Sequence, residues 1–85
     1  MFESESVRLS KMNLNREEKV IEFISFCIEN YKIKHSISGK YASDIFNKNG
    51  LINFLEESYD LLHCHSKQYI LEEIEKYLSI RGEIH

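Results

Sequence analysis

The chain contains no proline and only three glycines in 85 residues. Nothing forces a break in a helix, and few positions invite a turn, so long uninterrupted helices joined by few turns fit this composition. Two cysteines, Cys27 and Cys64, are too few for a disulfide scaffold. The N-terminal residues lack the apolar run of a secretory signal. No stretch approaches the roughly 18 consecutive apolar residues of a membrane span. A reducing, cytoplasmic setting is therefore expected. There is no basic surplus either. The net charge is -3, which argues against a dedicated nucleic-acid binder. Glycine-rich phosphate loops are missing, since Gly39 and Gly50 stand alone.

What is present is ordinary for a folded domain: 42% hydrophobic and 29% charged residues, which excludes wholesale disorder. A chain of this length makes one domain that buries only about 60% of its unfolded surface. The charge is unevenly spread. Residues 30–50 carry Lys32, Lys34, Lys40 and Lys48 against Asp44, a local +3. Residues 51–80 carry Glu56, Glu57, Asp60, Glu72, Glu73 and Glu75 against Lys67 and Lys76, a local -4. An acidic half either faces solvent or meets a basic partner surface.

The strongest periodicity lies between Glu17 and His35. Val20, Ile21, Ile24, Cys27, Ile28 and Tyr31 fall on one side of a helix, with Phe23 at its edge. Glu18, Glu22, Ser25 and Glu29 fall on the other. Asn15 is the expected N-cap, with Glu18 three residues on and Leu14 placed to act as a staple. Phe26 and Ile33 point about 140–160° away from the stripe's centre at 100° per residue. Such a pair is either covered from a second side or offered to a partner.

Residues 1–14 have no clear period and read as a flexible leader, although Phe2, Val7, Leu9, Met12 and Leu14 would make a sticky arm. Ser38 is the expected N-cap of a second helix, Gly39–Asn49, with Tyr41, Ala42, Ile45 and Phe46 inward. Asn49-Gly50 stops it. A third helix, Leu51–Ser58, turns Leu51, Ile52 and Leu55 inward. Tyr59–His65 either continues that helix or forms a connector. Ser66 caps a fourth helix, Lys67–Arg81, whose stripe is Ile70, Leu71, Ile74, Tyr77 and Leu78. Tyr69 and Ile80 lie off that stripe. Gly82 ends the helix, and residues 83–85 are tail. The expected fold is all-α, a small bundle of four helices over residues 15–82 with a flexible N-terminal arm.

No catalytic constellation is evident. His63-Cys64-His65 gathers three potential transition-metal ligands, but no C-x-x-C or H-x-x-x-H spacing supports a further ligand from His35, Cys27 or His85. A helix-end role for one of these histidines is the simpler reading, and neither a metal nor another cofactor is expected. A Cys64–His nucleophile pair lacks an orienting third group. The carboxylate pairs Glu56-Glu57 and Glu72-Glu73 splay around their helices. The second and third helices have the length of a helix-turn-helix, yet the recognition stretch LINFLEES has no Lys or Arg and would repel phosphates.

Three stretches carry a family resemblance: EFISFCIENY at 22–31, SGKYASDIFNKNGLINFLEESYDLLHCHS at 38–66 and QYILEEIEKYLSIRG at 68–82. Over residues 18–82 the chain resembles short bacterial proteins of formerly unknown function, encoded beside toxins with an ADP-ribosyltransferase-like fold. The run from Tyr59 through Leu62-His63 to Tyr69-Ile70 is the most characteristic part. The resemblance implies an antitoxin-like or accessory role, no catalysis and no catalytic residues.

The functional expectation is thus a protein-binding module, an antitoxin that neutralises a co-encoded toxin by occluding its nicotinamide-dinucleotide or target-binding cleft. Phe26 and Ile33 would dock on the toxin, extended by Tyr69 and Ile80. The alternatives are a transcription regulator built on the helix-turn-helix-like pair, and a homodimer that hides the same apolar residues.

Overall fold

The computed structural model describes the backbone of residues 2–82 and the side chains of residues 16–82. It contains α1 (Phe2–His35), α2 (Gly39–Lys48), α3 (Leu51–Glu57), α4 (Tyr59–Leu62) and α5 (Lys67–Ile80). The described residues form no strand. The fold is all-α, as the composition implies, with one helix more than the four expected. The extra element is α4, a single turn cut from the Tyr59–His65 stretch. Ser58 closes α3 by donating its N–H to the Phe54 carbonyl, and its own carbonyl then accepts from Leu61 and Leu62 to start α4.

The helical backbone of α1 begins at Phe2, well before the expected start at Asn15. No proline or glycine precedes Gly39 to interrupt it. The capping box at Asn15 and the staple at Leu14 concern side chains outside the described residues. So do the sticky arm of the leader and the tail at 83–85.

The core is built on a narrower stripe of α1 than the sequence suggests. Val20, Phe23, Cys27 and Tyr31 are buried, while Ile24 and Ile28 are only partly covered. Ile21, expected inside, is exposed. The buried set is centred about 50° round the helix from the expected stripe, which takes Phe23 into the core and leaves Ile21 outside it. α1 packs against α2, α3 and α5, and α3 packs against α2, α4 and α5. Ala42, Ile45 and Phe46 of α2, Leu51 and Leu55 of α3, and Tyr59 and Leu62 of α4 close over the stripe. Ile70, Leu71, Ile74 and Leu78 of α5 complete the core. Tyr41 faces outward and is exposed, contrary to the expected inward face of α2. Tyr31 meets Phe46 edge-on at 5.5 Å.

Helix ends carry the turn chemistry. Ser38 Oγ accepts from the Tyr41 N–H at 3.0 Å, and Ser66 Oγ from the Tyr69 N–H at 3.1 Å. Both are N-caps at the expected serines. α1 ends in a Schellman motif: Ile37 donates to the Lys32 carbonyl and Ser36 to that of Ile33. The left-handed position in this motif, φ 53°, is held by Ser36, where glycine is the usual occupant. Gly50 takes the equivalent geometry after α2, at φ 71°. Tyr77 reaches that turn from α5, its hydroxyl lying 3.0 Å from the Asn49 carbonyl and 3.3 Å from that of Gly50.

These two left-handed positions predict opposite effects. Gly50→Ala would leave its new Cβ 3.5 Å from the Tyr77 hydroxyl, so space is not the obstacle. The backbone conformation is, and the substitution should lower stability by about 1–2 kcal/mol. Ser36→Gly should raise it by up to about 1 kcal/mol, because relief of the left-handed strain is partly offset by a more flexible unfolded chain. Urea unfolding of both variants checks the pair of signs.

Candidate partner-binding face

Phe26 and Ile33 stand on the side of α1 turned away from its buried stripe. Their relative exposures are 41% and 61%. Phe26 lines a groove of ≈ 570 Å³ together with Phe23, Tyr59, His63, His65 and Ile70. Lys19 and Glu22 border the same groove. Tyr69 adjoins it, since its ring lies 4.2 Å from that of His65. Ile33 is two turns further along α1, about 10 Å at 1.5 Å per residue. Ile80 is 80% exposed but about 16 Å along α5 from Tyr69. The four expected contact residues are all exposed, yet only Phe26 and Tyr69 meet around one groove.

The groove is shaped by rings spaced four residues apart. Tyr59 and His63 stack at 4.2 Å with an interplanar angle of 9°. Phe23 packs edge-on to Tyr59 at 5.4 Å, and the Arg16 guanidinium stands 5.6 Å from the Tyr59 centroid. Arg16 also binds Asp60 at 2.8 Å, which holds the Asp60 carboxyl below its ordinary range. His63-Cys64-His65 is a potential ligand cluster by residue type, with a helix-end role as the simpler expectation for one of its histidines. In the structure each side chain has local work. His63 Nδ1 donates to the Tyr59 carbonyl at 2.7 Å, Cys64 Sγ lies 3.8 Å from the Leu61 carbonyl, and His65 lies against Tyr69. Among the described residues no three His, Cys, Asp or Glu side chains converge on one point. The Tyr59–His63 spacing was the available signal for the groove, because residues four apart share a face of a helical turn; His65 precedes the Ser66 cap, so no helical spacing announces its contact with Tyr69.

Cys27 is fully buried, and burial pushes its thiol up to about 12. It is a small core residue with no accessible nucleophile. The acidic half of the chain is partly spent on internal pairs. Glu75 Oε2 takes Lys34 Nζ at 2.8 Å and His35 Nε2 at 2.9 Å, tying the end of α1 to α5. Glu73 lies 3.9 Å from Lys76, and Gln68 donates to Glu72 at 3.4 Å. Glu56 and Glu57 remain on the outer side of α3. That helix has no basic residue, so it offers nothing to a phosphate backbone.

A family model described as a protein of unknown function, DUF3791, matches residues 22–81. The chain belongs to this family. The match takes in the buried part of α1 from Phe23 onward, the groove residues other than Lys19, and every later helix. No curated protein and no solved structure matches the chain. No described helix is long and apolar enough to cross a membrane.

Glu75 gives a pH prediction. Burial raises its carboxyl, but the hydrogen bonds and charges of Lys34 and His35 outweigh that and hold it below the usual carboxylate range. A depressed folded value contributes stability above the unfolded value, near 4.3, and that contribution is lost as pH falls through the folded value. The melting temperature should therefore drop below about pH 4.3, with Glu75→Gln showing a shallower acid limb. Parallel acid limbs for the two proteins would contradict the assignment.

Proposed function

We propose that this DUF3791 protein is a protein-binding module, the antitoxin that binds and neutralises a co-encoded toxin with an ADP-ribosyltransferase-like fold. The observation that carries the protein-binding reading is the exposure of Phe26 and Ile33 on one side of α1. Two large apolar side chains at i, i+7 cost solvation free energy in the isolated domain and recover it when a partner covers them. The class of partner comes from the resemblance carried by residues 22–31, 38–66 and 68–82. The mechanism is occlusion: the Phe26–Ile33 side of α1 docks on the toxin and blocks its nicotinamide-dinucleotide or target-binding cleft. Tyr69 extends that contact around the groove. A partner reaching Ile80 as well has to run the length of α5.

The module itself contributes no chemistry to this mechanism. Its thiol at Cys27 is buried, His63 is engaged in a stack and a helix-end contact, and His65 lies against Tyr69. The free energy of neutralisation then comes from apolar burial and from shape.

Co-expression with the product of the adjacent gene tests the proposal. The two proteins should co-elute in size exclusion, and the antitoxin should rescue growth. Phe26→Asp combined with Ile33→Asp should abolish both while the helical circular dichroism persists, because neither residue belongs to the core. A folded double variant that still co-elutes and still rescues overturns the docking face.

A further inference from the structure

α4 is the least self-supporting element of the fold. Its four residues make one turn, the part of a helix whose formation is unfavourable by itself. Ser58, its N-cap, gives it no side-chain hydrogen bond. The amides of Leu61 and Leu62 donate to the Ser58 carbonyl, and that of His63 to the Tyr59 carbonyl, so these backbone bonds stay within the segment. Its main backbone neighbour is α3, and its hold on α1 is made by side chains. Leu62 and Tyr59 are buried, and Phe23 meets the Tyr59 ring edge-on. Outside the core, Arg16 of α1 grips α4 twice. Its guanidinium binds Asp60 at 2.8 Å and stands 5.6 Å from the Tyr59 centroid. His63 stacks on that same ring, so whatever holds Tyr59 also holds this wall of the groove beside Phe26.

We propose that α4 is a strap over Phe23 of α1, fastened by Arg16, which opens as a unit while the rest of the core stays folded. Opening breaks the Arg16–Asp60 pair, parts Tyr59 from Phe23 and removes the His63 wall; closing rebuilds it. The inference goes beyond the protein-binding reading and does not depend on it. Segments with few backbone ties to their neighbours open at a lower free energy than the whole domain. Arg16 and Asp60 are both exposed, so their pair is weak and screened by salt. A fastening of that strength lets α4 open without taking the buried stripe of α1 with it.

Amide hydrogen exchange of the full chain near neutral pH, followed by nuclear magnetic resonance, tests the strap. Relative to their intrinsic rates, the amides of Leu62 and His63 should exchange at least about 10-fold faster than those of Ile74 and Leu78 in the core of α5. Arg16→Gln removes both Arg16 contacts and should speed Leu62 and His63 by a further 3- to 30-fold or so, roughly the worth of one exposed ion pair and one cation–π contact together. Sodium chloride at about 0.5 M should reproduce part of that gain in the unaltered protein and little of it in the variant. Lys40→Gln removes an exposed pair with Asp44 that opening of α4 does not break, and should leave Leu62 and His63 unchanged. If Leu62 and His63 are as protected as Ile74 and Leu78, α4 opens only with the whole domain and the strap is overturned. A gain below about 2-fold in Arg16→Gln, or an equal gain in Lys40→Gln, overturns the role of Arg16. The comparison of α4 with α5 and the salt response of the unaltered protein decide the matter should Arg16→Gln fail to fold.

Discussion

The whole domain depends on one narrow stripe of α1. Val20, Phe23, Cys27 and Tyr31 are spaced three, four and four residues apart, so their side chains stack along a single line. The apolar faces of α2 to α5 are short, and none is long enough to bury itself without this line. Tyr31 and Cys27 are almost wholly enclosed, as are Phe46, Leu51, Leu55, Ile74 and Leu78 around them. With burial of apolar surface worth about 25 cal/mol per Å², this cluster is the dominant favourable term in a small domain. Once the stripe is committed to the core, Phe26 and Ile33 are left facing out by geometry, because they are displaced from it by more than a quarter turn.

Around that core, polar groups tie helix ends together. Glu75 joins the end of α1 to the middle of α5, and the Tyr77 hydroxyl joins α5 to the turn between α2 and α3. Tyr77 also lies against Phe54 at 4.6 Å and under the Arg81 guanidinium at 4.5 Å. One side chain thus links α3, the preceding turn and the end of α5. The acidic surplus of the second half is consequently smaller at the surface than in the sequence, since Asp60 and Glu75 answer cations from α1.

The groove beside Phe26 arises where α1 meets α4 and the start of α5. α4 is a single turn, too short for a stripe of its own, and it holds its place through Tyr59 and Leu62 in the core. His63 then falls at the groove by its offset from Tyr59, and His65 by its contact with Tyr69. Of the two forms open to Tyr59–His65, the structure takes a short helix followed by a turn, and His63 has the helix-end contact expected of one of these histidines while its ring joins the groove wall.

Much of the secondary structure was legible because it rests on local chemistry. The serine caps at 38 and 66, the stop at Asn49-Gly50 and the α5 stripe follow from side chains acting on their own backbone within four residues. That Phe26, Ile33, Tyr69 and Ile80 depart from the helical period was equally legible, but whether Phe26 and Ile33 are covered was open, and the packing leaves both exposed. What the sequence left open was which side of α1 is inside. Its apolar residues, from Phe26 round to Ile21, cover well over half the circumference, so periodicity alone admits more than one centre. Only packing against α2, α3 and α5 selected the stripe through Phe23 and left Ile21 outside. The same reason applies to Tyr41 and to the groove: each is decided by what the neighbouring helices bring close, and no local pattern encodes that.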